Sequence, residues 1–359
     1  VLLHKVYLLM RSPLIIRLAA AFLPKNKKIP SGLQSLPPYE RVSESVYRIS
    51  GQNPGYHTLQ GTNIYLIFDE ASQEALLVDT GEEWAADLWL PVLLELLAAH
   101  GIARIRSVVL THGHADHQGG VAPLLRALQA AGLEPLPLIY KHCPADDPLP
   151  CLSARAQPIS EGLEFRVGER LVVRALLTPG HTADHVCLLL ASEALLLSGD
   201  CVLGCGSCVF EDLASYLRSL QRLLRLASPS GAGPQGEGEE AWLCGECVGV
   251  GAGGVGAGPV VRSIAPGHGP LVRGAHDKLQ EYLAHRRARD QQLLQALRGD
   301  GRTGWLSSLQ LVLRVYGSLP SAAIALAAQA NVLLHLRKLR DEGRVRQSRW
   351  LDDCWASVD

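Results

Sequence analysis

Residues 111–120 read Thr-His-Gly-His-Ala-Asp-His-Gln-Gly-Gly and crowd His112, His114, Asp116 and His117 into six positions. Imidazole and carboxylate together suit zinc, and also iron or manganese. A single loop histidine is ordinarily a surface residue. Three with an aspartate at this spacing point to a shared task. Two shorter signals lie downstream: His181 in Thr-Pro-Gly-His-Thr-Ala-Asp-His, and His268 in Ala-Pro-Gly-His-Gly-Pro. Asp200, after Ser198-Gly199, adds a second carboxylate. His112, His114 and His181 can complete one site, and Asp116, His117 and His268 a second, with Asp200 as bridge. Two cations about 3.5–4 Å apart that share an aspartate and a hydroxide are a standard hydrolytic device. Asp116 is the candidate to orient the nucleophile and move its proton.

Each signal follows an apolar run, so each is expected at a strand end, the usual place for chemistry in an α/β domain. Strands are expected at 46–49, 63–68, 75–78, 108–110, 136–140, 164–167, 171–178, 186–190, 194–197 and 260–264. Helices are expected at 82–100, 119–131, 212–226 and 278–297, the third with Leu213, Leu217, Leu220 and Leu224 on its apolar face. Asp79 ends a neighbouring strand and is expected to fix the loop or a ligating imidazole from behind. His185 is expected either to touch substrate or, by preference, to act as a buried hydrogen-bonding support.

The chain has 359 residues and a net charge of -1, so no global field draws it to nucleic acid or membrane. Its nine cysteines show no framework spacing, which favours free thiols in a reducing compartment. Cys205-x2-Cys208 and Cys244-x2-Cys247 have knuckle spacing, but unpaired thiols are the preferred reading. Residues 1–39 contain basic residues and no Asp or Glu, a pattern like an organelle transit peptide followed by a Pro/Ser linker. A structured or disordered leader is the other reading, so the expected location is a mitochondrion or other organelle, otherwise the cytoplasm. Residues 14–23 are apolar but interrupted by Arg17 and too short to span a bilayer. The glycine-rich stretch 228–259 reads as a disordered insertion.

The His-x-His-x-Asp-His motif, the two Gly-His signals and Asp200 resemble the metallo-β-lactamase superfamily. The 53–55, 58–63, 198–201, 209–213 and 334–344 stretches look like the β-lactamase-like protein 2 family. The resemblance covers about residues 37–350 outside the insertion. It implies an αββα sandwich with two zinc ions at one edge, and an endoribonuclease acting on single-stranded RNA, mitochondrial in animals. Fungal acyl-carrier-protein thioesterases share much of the pattern, so a small thioester is the alternative substrate. By resemblance alone, Thr58, Gln60, Thr62 and Asn63 line the pocket. Gly113 stands where relatives often carry an aromatic residue, which is expected to widen the pocket floor.

Three domains are expected: a basic leader at 1–39, the metallo-β-lactamase domain at 40–300, and a winged-helix-like module at 301–359. The module reads as three short helices and a wing beginning at Gly343, with 332–339 as its exposed helix. Arg337, Lys338 and Arg340, with Arg344, Arg346 and Arg349, form a basic patch suited to phosphate contacts. The other uses of such a face are packing on the core or pairing in a homo-oligomer. A nucleic-acid-binding scaffold with a vestigial metal site is the reading of another class. His142, His276 and His335 lack a partner pattern and are expected at the surface.

Overall fold

Strand β3 (Asn63–Asp69) is buried along its whole length, with Ile64, Leu66 and Phe68 on one face and Tyr65 and Ile67 on the other. Residues alternate across a strand, so apolar side chains on both faces demand a packed layer on each side. The same logic repeats through the chain and yields four layers. The computed structural model describes residues 28–144, 156–228, 260–298, 305–318, 322–348 and 353–358. The leader up to residue 27, most of the glycine-rich insertion, Cys244, Cys247 and Arg349 lie outside them.

The first sheet has seven strands in the order β1 (Tyr39–Ser43), β2 (Val46–Ser50), β3, β4 (Glu74–Val78), β5 (Arg104–Leu110), β6 (Leu138–Lys141) and β7 (Gln157–Pro158). Its outer face packs on α1 (Ala86–Ala99) through Trp89, Leu93 and Leu97, and on α3 (Val121–Ala130) through Leu124 and Leu128. The single turn α2 (Ala115–Gln118) precedes the expected 119–131 helix, because the histidine-rich loop itself coils: His117 and Gln118 N–H both donate to the His114 carbonyl. The second sheet has six strands: β13 (Val272–Arg273), β12 (Ser263–Pro266), β11 (Leu195–Gly199), β10 (Val186–Leu190), β9 (Leu171–Leu177) and β8 (Glu164–Val167). It is covered by α4 (Leu213–Ala227) and α5 (Ala275–Arg298). The buried stripe of α4 runs through Leu213, Tyr216, Leu220 and Leu223, while Leu217 and Leu224 are only partly buried, a rotation from the expected face. Between the sheets lie Val46, Ile67, Val109, Val173, Val186, Leu188 and Leu197.

The register brings the chemistry to one edge. β4, β5 and β6 pair in parallel, as do β11 and β12, so the loops that leave them project the same way. Crossover-linked parallel strands put their carboxyl ends together, and ligands bind there.

The C-terminal module differs from expectation in its helices. The described residues of 305–341 hold two, α6 (Ser308–Tyr316) and the long α7 (Ala322–Asp341), and the C-terminal half of α5 supplies the third wall. A capping box starts α6: Ser307 Oγ accepts from Gln310 N at 3.2 Å and Gln310 Oε1 from Ser307 N at 2.8 Å. β14 (Val345–Gln347) and β15 (Trp355–Ser357) form the wing. The 332–339 stretch is not an exposed helix: Val332, His335, Leu336 and Leu339 are fully buried, against Leu293, Leu297, Leu311 and Trp355.

Candidate metal centre

Two groups of side chains converge at the sheet edge. His112, His114, His181 and Asp200 each offer one donor atom, as do Asp116, His117 and His268, and within each group these atoms lie within 4.8 Å of one another. Asp200 spans both groups: its Oδ2 is 3.6 Å from His181 Nε2 and 3.3 Å from His268 Nε2, and its Oδ1 is 3.5 Å from His117 Nε2. Asp116 Oδ2 is 3.3 Å from His117 Nε2 and 3.2 Å from His268 Nε2.

The supporting hydrogen bonds fix the tautomers. Asp79 has φ +61°, a left-handed conformation that Asp tolerates better than most residues. This turns its carboxylate back under the loop, where Oδ1 accepts from Thr111 N at 2.8 Å and Oδ2 from Thr111 Oγ1 at 2.9 Å and His117 Nδ1 at 2.7 Å. Thr111 Oγ1 spends its proton on Asp79 and so accepts from His112 Nδ1 at 3.0 Å. His181 Nδ1 donates to the Val209 carbonyl at 2.7 Å, and His268 Nδ1 faces the Gly61 carbonyl at 3.4 Å. In all four rings the Nε2 lone pair is thereby aimed inward, the usual device for a ligating histidine. His185 supports from behind: its Nε2 accepts from Asp200 N at 3.1 Å and its Nδ1 donates to Thr178 Oγ1 at 2.9 Å.

This donor set fits divalent cations. His114 Nδ1 lies 2.9 Å from His112 Nε2 and 3.2 Å from His181 Nε2, and His117 Nε2 lies 3.4 Å from His268 Nε2. A proton on His114 Nδ1 can serve only one of the two facing Nε2 lone pairs at a time, whereas a cation between the three nitrogens would take all of them. Asp200 Oδ1 is also buried without a hydrogen bond. The proton affinities follow the same division. Burial, reinforced by His117, His114 and His181, holds His112 well below its ordinary value. Burial and the neighbouring His114 and His185 take His181 down to about 3 against the pull of Asp200. In the other group burial is overcome: Asp116, Asp200 and Asp79 raise His117 well above its usual range, and Asp200 and Asp116 push His268 up to about 10. Burial opposes ionisation of the acids, yet His117 and His268 hold Asp116 and Asp200 well below the usual carboxylate range. A positive charge is thus favoured on the side of the two acids, with a proton standing in for a metal.

The residues expected at a substrate pocket divide. Thr62 and Asn63 are fully buried and hold the frame. Thr62 Oγ1 donates to Asp116 Oδ2 at 3.1 Å, and Asn63 Nδ2 donates to the Pro266 and Gly269 carbonyls, both at 2.8 Å. Thr58 Oγ1 donates to the Asn53 carbonyl, and Gln60 Nε2 to that of Gln34. The exposed tip of this loop is Tyr56 and His57, whose rings meet edge-on at 5.3 Å. Sequence reasoning passed over both, and also Asn53, whose Oδ1 accepts from Thr62 N at 2.8 Å and whose Nδ2 donates to Thr62 Oγ1 at 3.0 Å.

Gly113 does not widen the floor. A Cβ there would lie 2.9 Å from Asp184 Oδ2 and 3.6 Å from Lys141 Nζ, because the buried Lys141–Asp184 ion pair occupies that space. Neither residue carried a sequence signal beyond the Asp-His pair of 184–185. Cys205 lies 3.9 Å from Gln60 Oε1, whereas Cys208 is buried and donates to Tyr216 Oη at 2.9 Å; among the described residues neither joins a metal-type group.

The basic face of the module is largely paired. Lys338 Nζ binds Asp290 at 2.7 Å and Glu342 at 2.8 Å. Arg340 pairs with Asp341 at 2.8 Å, Arg344 with Glu342 at 3.7 Å, and the Arg346 guanidinium lies over the Trp305 ring. Arg337 is half-buried. His335 is not at the surface: it is fully buried on Asp290, 2.6 Å away. His142 is half-buried and bound to the Ile159 carbonyl at 2.8 Å, and His276 is half-buried. Among the described residues, no helix is long and apolar enough to cross a membrane.

Residues 57–230 match the model of the metallo-beta-lactamase superfamily, and residues 307–355 that of the beta-lactamase associated winged helix domain. The beta-lactamase-like protein 2 homolog of Caenorhabditis elegans is 32% identical over 90% of this chain and 93% of its own. The lactamase-like protein adaB of Aspergillus niger is 33% identical, over 89% and 90%. A crystal structure of a beta-lactamase domain protein from Burkholderia ambifaria superposes with a TM-score of 0.63 at 18% identity, covering 92% of this chain and 97% of that one. That last likeness shows the fold alone.

Proposed function

The chain belongs to the metallo-beta-lactamase superfamily, with the winged helix associated with it, and from this we propose a two-metal hydrolase that cleaves single-stranded RNA. The observation that carries the hydrolase is the pair of donor groups joined through Asp200. His112, His114 and His181 with Asp200 would hold one cation, and Asp116, His117 and His268 with Asp200 the other, zinc being the expected metal and iron or manganese fitting the same donors. Such a pair supplies a water that is deprotonated at neutral pH and polarises the oxygen under attack.

The protein's own residues do the rest. Asp116 is the more open of the two site acids, with a side chain 18% exposed against 10% for Asp200. It is held ionised, so it can accept the proton of the attacking water. The Thr62 hydroxyl steadies the oxygen that Asp116 turns to His117 and His268. Asp79 and Thr111 keep the His112 and His117 rings from turning while the substrate reacts.

RNA is favoured by the rim of the site. Tyr56 is 70% exposed and stands against His57 on the loop that also carries Thr62. Exposed rings beside a hydrolytic site suit the unstacked bases of a single strand. A thioester substrate has one observation in its favour: Val209, 66% exposed, sits where its carbonyl holds His181, and gives an acyl chain an apolar contact. One side-by-side assay separates them, a fluorogenic single-stranded RNA against an acyl thioester, with wild type and Asp116→Asn. RNA turnover that is lost in the variant, with duplex RNA resistant, is expected. Thioester turnover alone, lost in the variant, moves the substrate to the second reading. Properly folded protein that binds fewer than about two metal ions per chain overturns the two-metal centre.

A further inference from the structure

The loop between β11 and α4 runs from Asp200 to Asp212 and carries the Val209 carbonyl that fixes His181. A loop carbonyl holds a ring only if the loop is itself held. Arg286, on α5, grips the residues on both sides of Val209. Its Nη2 donates to the Cys208 carbonyl at 3.1 Å and to Ser207 Oγ. Its guanidinium lies 4.7 Å from the centre of the Phe210 ring, which is stacked on Tyr216 at 5.3 Å. The strap is also tied to the His181 turn, where Glu211 N donates to the Gly180 carbonyl at 2.8 Å. Gly180, with φ +138°, allows this approach, since a Cβ there would meet Tyr216 Cα at 2.3 Å.

Arg286 is 4% exposed and has no carboxylate partner among the described residues, and its Nε makes no hydrogen bond. Burying a cation without an acid is costly. Both hydrogen bonds that offset the cost are to this strap, and the guanidinium lies over Phe210 of the strap and, at 5.8 Å, over Tyr216 of α4. One helical turn further along α5, Asp290 binds His335 of the C-terminal module, and the His335 ring meets Phe210 edge-on at 6.2 Å. The module therefore backs the same clamp.

We propose that Arg286 is a positioning residue for His181: it sets the Val209 carbonyl, which keeps the His181 proton on Nδ1 and its Nε2 lone pair toward His112 and His114. His181 serves only one of the two donor groups. The consequence is asymmetric, and that separates it from a general loss of packing. The inference rests on the metal-centre part of the reading above and not on its substrate.

The test is zinc binding to the full chain in a chelator-buffered titration, with melting temperature measured alongside. Wild type is expected to bind zinc in two steps. Arg286→Ala is expected to weaken one step by about 10- to 100-fold, the range for losing an outer support of a metal ligand, and to leave the other unchanged. Arg286→Lys, which keeps one donor for the Cys208 carbonyl, is expected to recover part of the loss. Phe210→Leu, which keeps apolar bulk but removes the ring, is expected to weaken the same step by less, and it carries the test if Arg286→Ala does not fold. Histidine-ring proton–nitrogen spectra of metal-free protein give a readout without zinc: the His181 Nδ1–H signal is expected in wild type and a tautomer mixture in the variants. Unchanged zinc steps, or equal weakening of both, overturns the proposal, as does an unaltered His181 tautomer. Wild type that binds no zinc overturns the metal centre instead, and the ring spectra still decide the role of Arg286.

Discussion

Among the described residues, a cluster of histidine and aspartate at the sheet edge and one in the C-terminal module are both buried, and they are electrically different. In the module, Asp290 accepts from His335 at 2.6 Å and from Lys338 at 2.7 Å, so the acid has a resident cation. At the sheet edge, the ion pairs of Asp116 and Asp200 among the described residues are all to imidazoles. Those imidazoles turn lone pairs inward because their Nδ1 protons are committed to Asp79, Thr111, Val209 and Gly61. One cluster is closed and holds helices together; the other presents donor groups that could hold a cation from outside. Residue types alone do not separate structure from chemistry. The direction of the donors and the presence of a neutralising lysine do.

The comparison implies opposite responses to substitution. Asp116→Asn is expected to lower hydrolysis by about 10²–10⁴-fold, the size of a lost general base, and His114→Ala to lose it as well. In metal-free protein His114→Ala is expected to change the melting temperature little, because the ring is only half-buried and His112 and His181 keep their Nδ1 bonds to Thr111 and Val209. A large fall in melting temperature would erase the distinction between the clusters. Asp290→Ala is expected to do the reverse and cost about 1–3 kcal/mol in urea unfolding, by leaving the fully buried His335 Nδ1 without its acceptor while Lys338 keeps Glu342. A loss near zero would mean that the module does not depend on this closed cluster.

Metal loading sharpens the contrast at an intermediate scale. Zinc at about 100 times its Kd should stabilise the fold by about 2.7 kcal/mol per independent site. The gain is expected to be present in Asp290→Asn and absent in a variant lacking both His114 and His268. Equal gains in all three proteins would show that zinc binds elsewhere.

The same contrast explains what the sequence disclosed. The convergence of these histidines and aspartates was legible because they concentrate in short loops after apolar runs, and parallel pairing then brings those loops together. Asp79 was legible for the same reason. Lys141 and Arg286 were not, since each acts through a partner far along the chain and no local pattern marks it. His335 was misjudged for a related cause. Its partner lies 45 residues earlier, on a helix whose packing against α7 cannot be read from either segment. In the basic stripe of α7, Lys338 pairs locally with Glu342, four residues on, but meets Asp290 only once the helices pack.

The smallest effect expected is a change in slope. Burial keeps the folded His335 ring from taking a proton, and Arg286 and Arg289 add to this against the pull of Asp290, so its pKa lies below the ordinary 6.5. The unfolded chain binds that proton near the ordinary value, so His335 costs stability as pH falls below about 6.5. Asp290 is pushed up by burial but held below 3.8 by His335 and Lys338, and its contribution is present above that value and lost in stronger acid. Lys338 is opposed by burial yet raised above 10.5 by Asp290 and Glu342, so its share is lost only as pH climbs past that value. Between pH 5 and 7 His335 is therefore the member of this cluster that titrates on unfolding. Urea midpoints of wild type should rise with pH across this window more steeply than those of His335→Gln, while the two slopes agree between pH 7 and 9. Parallel curves from pH 5 to 7 would mean that the folded ring takes up its proton as readily as the unfolded one, and the cluster would then not be the closed, self-neutralised counterpart of the metal centre.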